Sequence, residues 1–538
     1  MYRHDGRHQN YLTKMLRDRD FVIILIIGFM FSIVFSLYSI YKYYALDASA
    51  FDLGLHANIL WTTLHGKLFY SGLLGGGFLS EHFAPFEYLQ LPIYYLYPSP
   101  ISILIFQDLF LGLAVIPLYK IMQFLFNGRI KDKLYYNILV FTIAVSYELS
   151  PFTASIYSFD FHNMAFLPFF IFTAIYAFLY KKIGLNIAML ILIISLHSSF
   201  VYIAIMIILF EILYSRNYRE LNLVFSRVKH RYNLINIFIL FAILGFIYIE
   251  IASFLKGYIA GQINSISIST GESGTVSGGL IGMVKALFTD PAYLFSYVIA
   301  QYPLKIIYIA LLFGTTGALS IFLPEVLLIG LPYFAYALTS SYPSYYSLGY
   351  QYAAMIYPVM FLGIAFGISK IIDNLESQSK PRFTPKKFFL SYKKDGQRKT
   401  LKIIVIVLIV GLFIGLVFNP LLPYDSLAVN DVSGIHITGC TSYLINERKN
   451  IPQNSTILVE NNVMPLFSNY AHVYMAPFSP LPNYTNFNYI IYINNTFWSE
   501  YGGNNSMEHI ANYTLQDKDM AVYSEYHNKV IILKKTSQ

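Results

Sequence analysis

The sequence predicts an α-helical polytopic membrane protein of about eleven transmembrane helices, followed by a small C-terminal α/β domain outside the membrane. Three observations carry this prediction. The chain is 56% hydrophobic and only 12% charged, about half the charged fraction of an ordinary soluble domain. Apolar runs, most of them of spanning length, recur up to residue 420. Beyond Pro423 the composition turns polar and the apolar residues fall into short β-rich runs.

The first run, Phe21 to Tyr41, follows a basic N-terminal stretch and has no small-residue cleavage site behind it, so it reads as a retained helix. Further apolar segments lie at 101–125, 135–153, 163–181, 183–198, 199–214, 233–255, 292–317, 318–338, 350–371 and 401–420. The uncharged run Ile183 to Phe210 is long for one helix, and charge decides how it is divided. If it turns at His197 and Ser198, the basic blocks 1–20, 127–133, 181–182, 215–231 and 370–402, with 5, 3, 2, 5 and 10 Lys/Arg, all fall on one side, as the positive-inside rule requires. The segment Phe83 to Tyr97, flanked and interrupted by Pro85, Pro92, Pro98 and Pro100, is then re-entrant or interfacial.

This topology puts the N-terminus in the cytoplasm of a plasma-membrane protein and the C-terminal domain outside. The loops 45–100, 151–162, 256–290 and 339–350 share the outer face and hold only three Lys/Arg. The basic 370–402 is a cytoplasmic linker, so the domains are 1–423 and 424–538. Within the second, strand-like runs at Thr456–Glu460, His472–Met475, Tyr489–Ile493 and Lys529–Leu533 follow a helix-like Ser442–Lys449. Five sequons, at Asn454, Asn483, Asn494, Asn504 and Asn512, agree with a glycosylated exterior domain. The net charge of +8 comes from positive-inside blocks and points to no nucleic-acid partner. One cysteine, Cys440, excludes an intrachain disulfide and leaves any metal to oxygen and imidazole ligands.

Candidate chemistry concentrates in the first outer loop, Ala45 to His82, which carries Asp47, Asp52, His56, His65, Glu81 and His82 against the single Lys67. Asp47 and Asp52 are a carboxylate pair able to hold a divalent cation or take a proton, or interfacial residues of which Asp52 caps a short helix. His56 and Trp61 line a sugar site or anchor the interface. Glu81 and His82 form a relay or lie solvated. In the second loop Asp160 and His162 stand two apart, so an extended chain points both the same way; contact with metal or substrate and a cap for the helix opening at Asn163 are both open. His197 marks a tight turn. Glu250, Lys305 and Glu325 are ionisable groups at membrane depth, with Lys305 either at a lipid phosphate or in an ion pair. The sequence has no Walker A pattern, GxSxG, Cys/His zinc spacing or GxGxxG, which argues against ATP-driven transport by this chain.

The stretches FDLGLHANILWTTLHGK, SEHFAPFEYLQLPIYYLYPSP, SFDFHNMAFLP, FLPEVLLIGLP and YYSLGYQYAAMIYPV resemble the DUF2079 family of predicted polytopic membrane proteins. That family in turn resembles the GT-C superfamily of integral membrane glycosyltransferases. The resemblance implies a sugar donor carried on polyprenyl phosphate and an acceptor that is a glycan, lipid or protein. It implies a catalytic or metal-binding carboxylate at Asp52 and a second acidic residue at Asp160, with His162 auxiliary and a divalent ion such as Mg or Mn between them. Asp47, His56, Glu81, His82 and Lys305 would then meet substrate. The alternatives are a transporter or lipid-handling protein, and a non-catalytic envelope protein that keeps the fold.

Overall fold

The computed structural model describes residues 18–80, 83–217, 229–263, 276, 279–376, 394–421, 437–477, 486–500, 502–503, 506–516 and 518–536. Each of the eleven apolar segments is helical there. Seven described helices are long and apolar enough to cross a membrane: Arg19–Tyr44, Pro100–Phe126, Lys133–Phe159, Ser198–Ser215, Phe238–Leu255, Gln351–Leu375 and Gly396–Val417. An eighth is broken: Pro291–Ile299 and Tyr302–Thr315 meet at 69°, at Gln301 with its left-handed φ of 57°. The remaining three, Asn163–Leu179, Ile183–Leu196 and Pro324–Leu338, are shorter than the roughly 20 residues a full crossing takes. The expected eleven crossings are therefore seven full-length spans, or eight with the bent pair, plus three short helices.

The first helix is built to approach a neighbour closely. Its buried positions, Phe21, Ile24, Gly28, Ser32, Phe35, Ser39 and Lys42, recur every three or four residues and form one stripe. Along that stripe Gly28 faces Gly112 of the Pro100–Leu113 helix so closely that a Cβ on Gly112 would lie 2.4 Å from Ser32 Oγ and 2.8 Å from Gly28 O. Small residues drive helix association in lipid for this reason, since backbones can then touch. The Gln351–Leu375 span, 94% buried against 28% for the first helix, is the central post of the bundle.

The run Ile183 to Phe210 does break at His197, whose extended backbone ends the Ile183–Leu196 helix and opens the turn Ser198–Phe200. Glu87–Leu96 is a ten-residue helix containing Pro92, about 15 Å long and too short to cross. The glycine-rich part of the first loop is a small hairpin, β1 (Tyr70–Ser71) against β2 (Gly76–Gly77).

The C-terminal domain is a five-stranded mixed sheet of β3 (Thr456–Val459), β4 (His472–Met475), β5 (Tyr489–Ile493), β6 (Met520–Tyr526) and β7 (Val530–Lys535), in the order β4-β3-β5-β7-β6. Strands β4, β3 and β5 are parallel, and β7 and β6 antiparallel. The helix Gly439–Arg448 matches the expected one. The sheet is seated on the first loop. Asn58 Nδ2 donates to Ser468 O at 2.7 Å and Tyr470 O at 2.9 Å, Asn469 Nδ2 donates to Pro98 O at 2.7 Å, and the Thr441 hydroxyl donates to Tyr44 O. Thus the first loop and the C-terminal domain share one end of the bundle, as the charge pattern predicts.

Candidate functional site

The first helix ends at Tyr44, and after a short extended stretch the chain enters a π-helical turn, Ala50–Gly54, that carries Asp52. The opening amides of a helix have no partner inside it. Here three side chains supply acceptors: Ser49 N–H donates to Asp160 Oδ2 at 2.6 Å, Ala50 N–H to Asn461 Oδ1 at 3.0 Å, and Phe51 N–H to Ser49 Oγ at 3.1 Å. Asp160 follows the Pro151–Phe159 helix, and its Oδ1 accepts the Phe161 N–H at 2.8 Å. The two loop acids expected from the sequence are thereby brought together.

Both acids hold their protons more tightly than an ordinary carboxyl. Burial pushes Asp52 up to about 7, with the Asp160 charge adding to it and His56, Lys42 and the Ser49 hydrogen bond opposing. Burial likewise pushes Asp160 up to about 6, against Lys42 and its two backbone donors. Asp52 keeps some exposed surface and Asp160 is fully buried, so Asp52 is the more accessible of the two.

Four residues beyond Asp52 stands His56, in the Leu55–Leu64 helix. Its Nδ1 shares a 2.7 Å hydrogen bond with Glu87 Oε1, which also accepts from Asn163 Nδ2 at 2.6 Å; Gln90 Nε2 in turn holds Asn163 Oδ1 at 2.8 Å. Burial works against the imidazolium, but Glu87, Asp52 and Asp160 outweigh it and raise the His56 pKa. His162, with its ring centroid 6.0 Å from that of His56, goes the opposite way. Burial and the neighbouring His56 and His197 lower it to about 3, so it is neutral, and its Nδ1 accepts the Met164 N–H at 3.2 Å as the cap of the turn Asn163–Phe166.

As placed, the His162 ring does not offer itself beside Asp52 and Asp160 as the third ligand of the expected metal centre. Each Asp160 oxygen accepts one backbone amide and keeps a further lone pair. Because His162 Nδ1 accepts an amide hydrogen, Nε2 carries the ring proton and offers no lone pair. Among the described residues no group of three His, Cys, Asp or Glu is disposed to hold a metal ion. The structure brings two carboxyl groups with raised pKa values near a histidine whose pKa is also raised.

The other expected residues are dispersed. Asp47 is exposed at the rim, 3.7 Å from Lys42. Trp61 stacks on His65 at 3.9 Å, away from His56. Lys305 Nζ donates to three carbonyls, Tyr297 O, Val298 O and Leu338 O, which end the helices Pro291–Ile299 and Leu331–Leu338. A cation at the negative ends of two helices is a structural clamp, and all three of its donors are used. Glu250 is exposed on its helix. Glu81 and His82 lie outside the described residues, as do Asn483 and Asn504. Asn454 and Asn512 are exposed, and Asn494 is half-buried beside Asn528.

Three contributors were not foreseen. Lys42 closes the first helix and donates to Ser158 O and Phe159 O, tying that helix to the carbonyls just before Asp160. Glu87 sits in the proline-rich segment, where a lone acid in an apolar run was the available signal. Asn461 comes from the C-terminal domain, 411 residues from its partner Ala50, and nothing local marks it.

No curated protein matches the chain. Among solved structures it is similar to ArnT from Cupriavidus metallidurans bound to undecaprenyl phosphate, at 12% identity and a TM-score of 0.47 over 96% of this chain and 98% of that one. It is also similar to the Archaeoglobus fulgidus oligosaccharyltransferase in complex with Zn and sulfate, at 12% identity and a TM-score of 0.38 over 86% and 68% of the two chains. The family model described as "Predicted membrane protein (DUF2079)" matches residues 42–529, from Lys42 of the site to the last strands of the C-terminal sheet, and the chain belongs to that family.

Proposed function

We propose that this protein is a membrane glycosyltransferase that moves a sugar from a polyprenyl-phosphate donor to an acceptor hydroxyl, on the face that the positive-inside rule puts outside the cell. The observation that supports this reading best is the half-buried Asp52, held on a clamped turn between Asp160 and His56. The sequence resemblance to GT-C enzymes supplies the donor class.

In the proposed reaction Asp52 takes the proton of the acceptor hydroxyl, whose oxygen forms a bond to the anomeric carbon. The bond from that carbon to the phosphate oxygen breaks, and its electron pair leaves on polyprenyl phosphate. A base with a pKa near neutrality suits this step, being both free enough of protons and basic enough. Asp160 keeps Asp52 basic by its charge and position. His56, made more basic by Glu87, balances charge on the leaving phosphate in this reaction. No step uses a metal.

The test is purified protein in nanodiscs with a radiolabelled polyprenyl-phosphate sugar and a membrane-extract acceptor. Asp52→Asn should lower product at least roughly 100-fold, the usual scale of a lost general base, while Asp47→Asn leaves it within a few-fold. Equal product from wild type and Asp52→Asn would remove Asp52 from the mechanism.

A further inference from the structure

We infer that the C-terminal domain completes the site: Asn461 is a positioning residue that fixes the Ala50–Gly54 turn and so sets Asp52 against Asp160. This deepens the proposed function and rests on it for the role of Asp52, although the geometry stands without it.

The turn hangs from two adjacent amides gripped from opposite sides. Ser49 N–H is taken by Asp160 of the membrane bundle, and Ala50 N–H by Asn461 of the C-terminal domain, whose Oδ1 also accepts the Ser49 hydroxyl at 3.5 Å. Remove either acceptor and a buried amide is left unpaired at the start of a one-turn helix, where nothing inside the helix can replace it. Asp52 is two residues beyond Ala50, so any relaxation of the turn moves it relative to Asp160.

The location of Asn461 is not incidental to the domain's fold. It follows β3, the strand whose parallel neighbours β4 and β5 lie on opposite sides, so it sits at the carboxyl end where strand order reverses. That position is where open α/β sheets present functional groups. The chain after it, Met464–Phe467, packs on the turn itself, and a Cβ on Gly54 would lie 2.4 Å from Met464 Sδ. Docking as such has separate bonds, from Asn58, Asn469 and Thr441, so losing Asn461 releases the turn and leaves the domain seated.

The experiment is hydrogen exchange by mass spectrometry on the full-length protein in nanodiscs. It compares wild type with Asn461→Ala, Asn461→Asp, which keeps an acceptor oxygen, and Asn58→Ala as a docking control. The expected result is that Asn461→Ala speeds exchange in the peptide holding Ser49–Phe51 by about fivefold to tenfold, the worth of one hydrogen bond, while peptides from 466–475 are unchanged. Asn461→Asp should restore protection, and Asn58→Ala should loosen 466–475. Unchanged exchange at Ser49–Phe51 in Asn461→Ala, or loosening of 466–475 to the same degree as in Asn58→Ala, would overturn the proposal. None of these readouts needs sugar transfer, so absence of transferase activity would count against the proposed function and leave this result intact.

Discussion

His56 and Glu87 share a 2.7 Å hydrogen bond inside the protein, and the acid it brings beside the ring sets the two histidines of the site apart. Burial alone would keep His56 neutral, as it does His162, yet the acid beside it and the two aspartates reverse the direction. A histidine with a raised folded-state pKa stabilises the fold fully below its unfolded value of about 6.5, and this contribution is lost as pH rises through the folded value. Glu87→Gln should therefore cost about 1–3 kcal/mol near pH 6 and weaken that part of the pH dependence. Thermal unfolding in nanodiscs from pH 5 to 9 measures both effects.

Asp52 carries the opposite linkage. Its folded pKa, about 7, lies above the ordinary carboxyl value, so the folded state binds a proton that the unfolded chain has released. Stability then falls as pH rises from about 4 to 7. Asp52→Asn removes the cost. The variant should match wild type near pH 4 and exceed it by roughly 1–3 kcal/mol at pH 8, once partial exposure is discounted. A variant that is more stable at pH 8 and inactive would mark Asp52 as a residue kept for chemistry.

The donor set around Asp52 predicts indifference to divalent cations. A ligand that binds only the folded state raises its stability with concentration. Millimolar Mg or Mn should leave the melting temperature of wild type within about a degree, and a chelator should leave transfer unchanged. A cation-dependent rise that disappears in Asp160→Asn would contradict the geometry described above.

Gly72 is a point of contact at which no side chain fits. A Cβ there would lie 2.1 Å from the backbone oxygen of Val473 in β4, and backbone cannot swing aside as a side-chain tip can. Gly72→Ala should cost on the order of 1–3 kcal/mol, as overpacking does, and loosen the C-terminal domain. Limited proteolysis should then cut within 437–536 faster while the helical bundle remains protected.

Lys305→Met removes the donor from three helix-end carbonyls. It should lower thermal stability and leave transfer per folded molecule within a few-fold, which separates the clamp from the phosphate contact that position alone suggests.

Much of this arrangement was legible in the sequence, for identifiable reasons. Apolar runs longer than a helix needs and blocks of Lys/Arg located all eleven helical segments, and the break at His197 followed from charge. Asp52 and Asp160 were visible because acidic groups in loops flanking apolar helices have few roles. Helix length was less legible. Hydropathy does not register that Gln301 takes a left-handed conformation and bends the eighth segment. Spacing does not show which nitrogen of His162 is already occupied. Asn461 was invisible because its partner is distant in the chain and an asparagine after a strand has no distinguishing pattern.

The short helices bear on the bilayer itself. Fourteen residues span about 21 Å, against a hydrocarbon thickness of roughly 30 Å. Where Ile183–Leu196 meets lipid, the membrane has to thin or the head groups have to dip toward the protein. That helix ends at His197, whose charge is felt at His162, so a dimple at that end would form beside the site. A lipid-linked head group arriving there would sink toward Asp52, and bilayers of short-chain lipids should hold the protein more stably than those of long-chain ones.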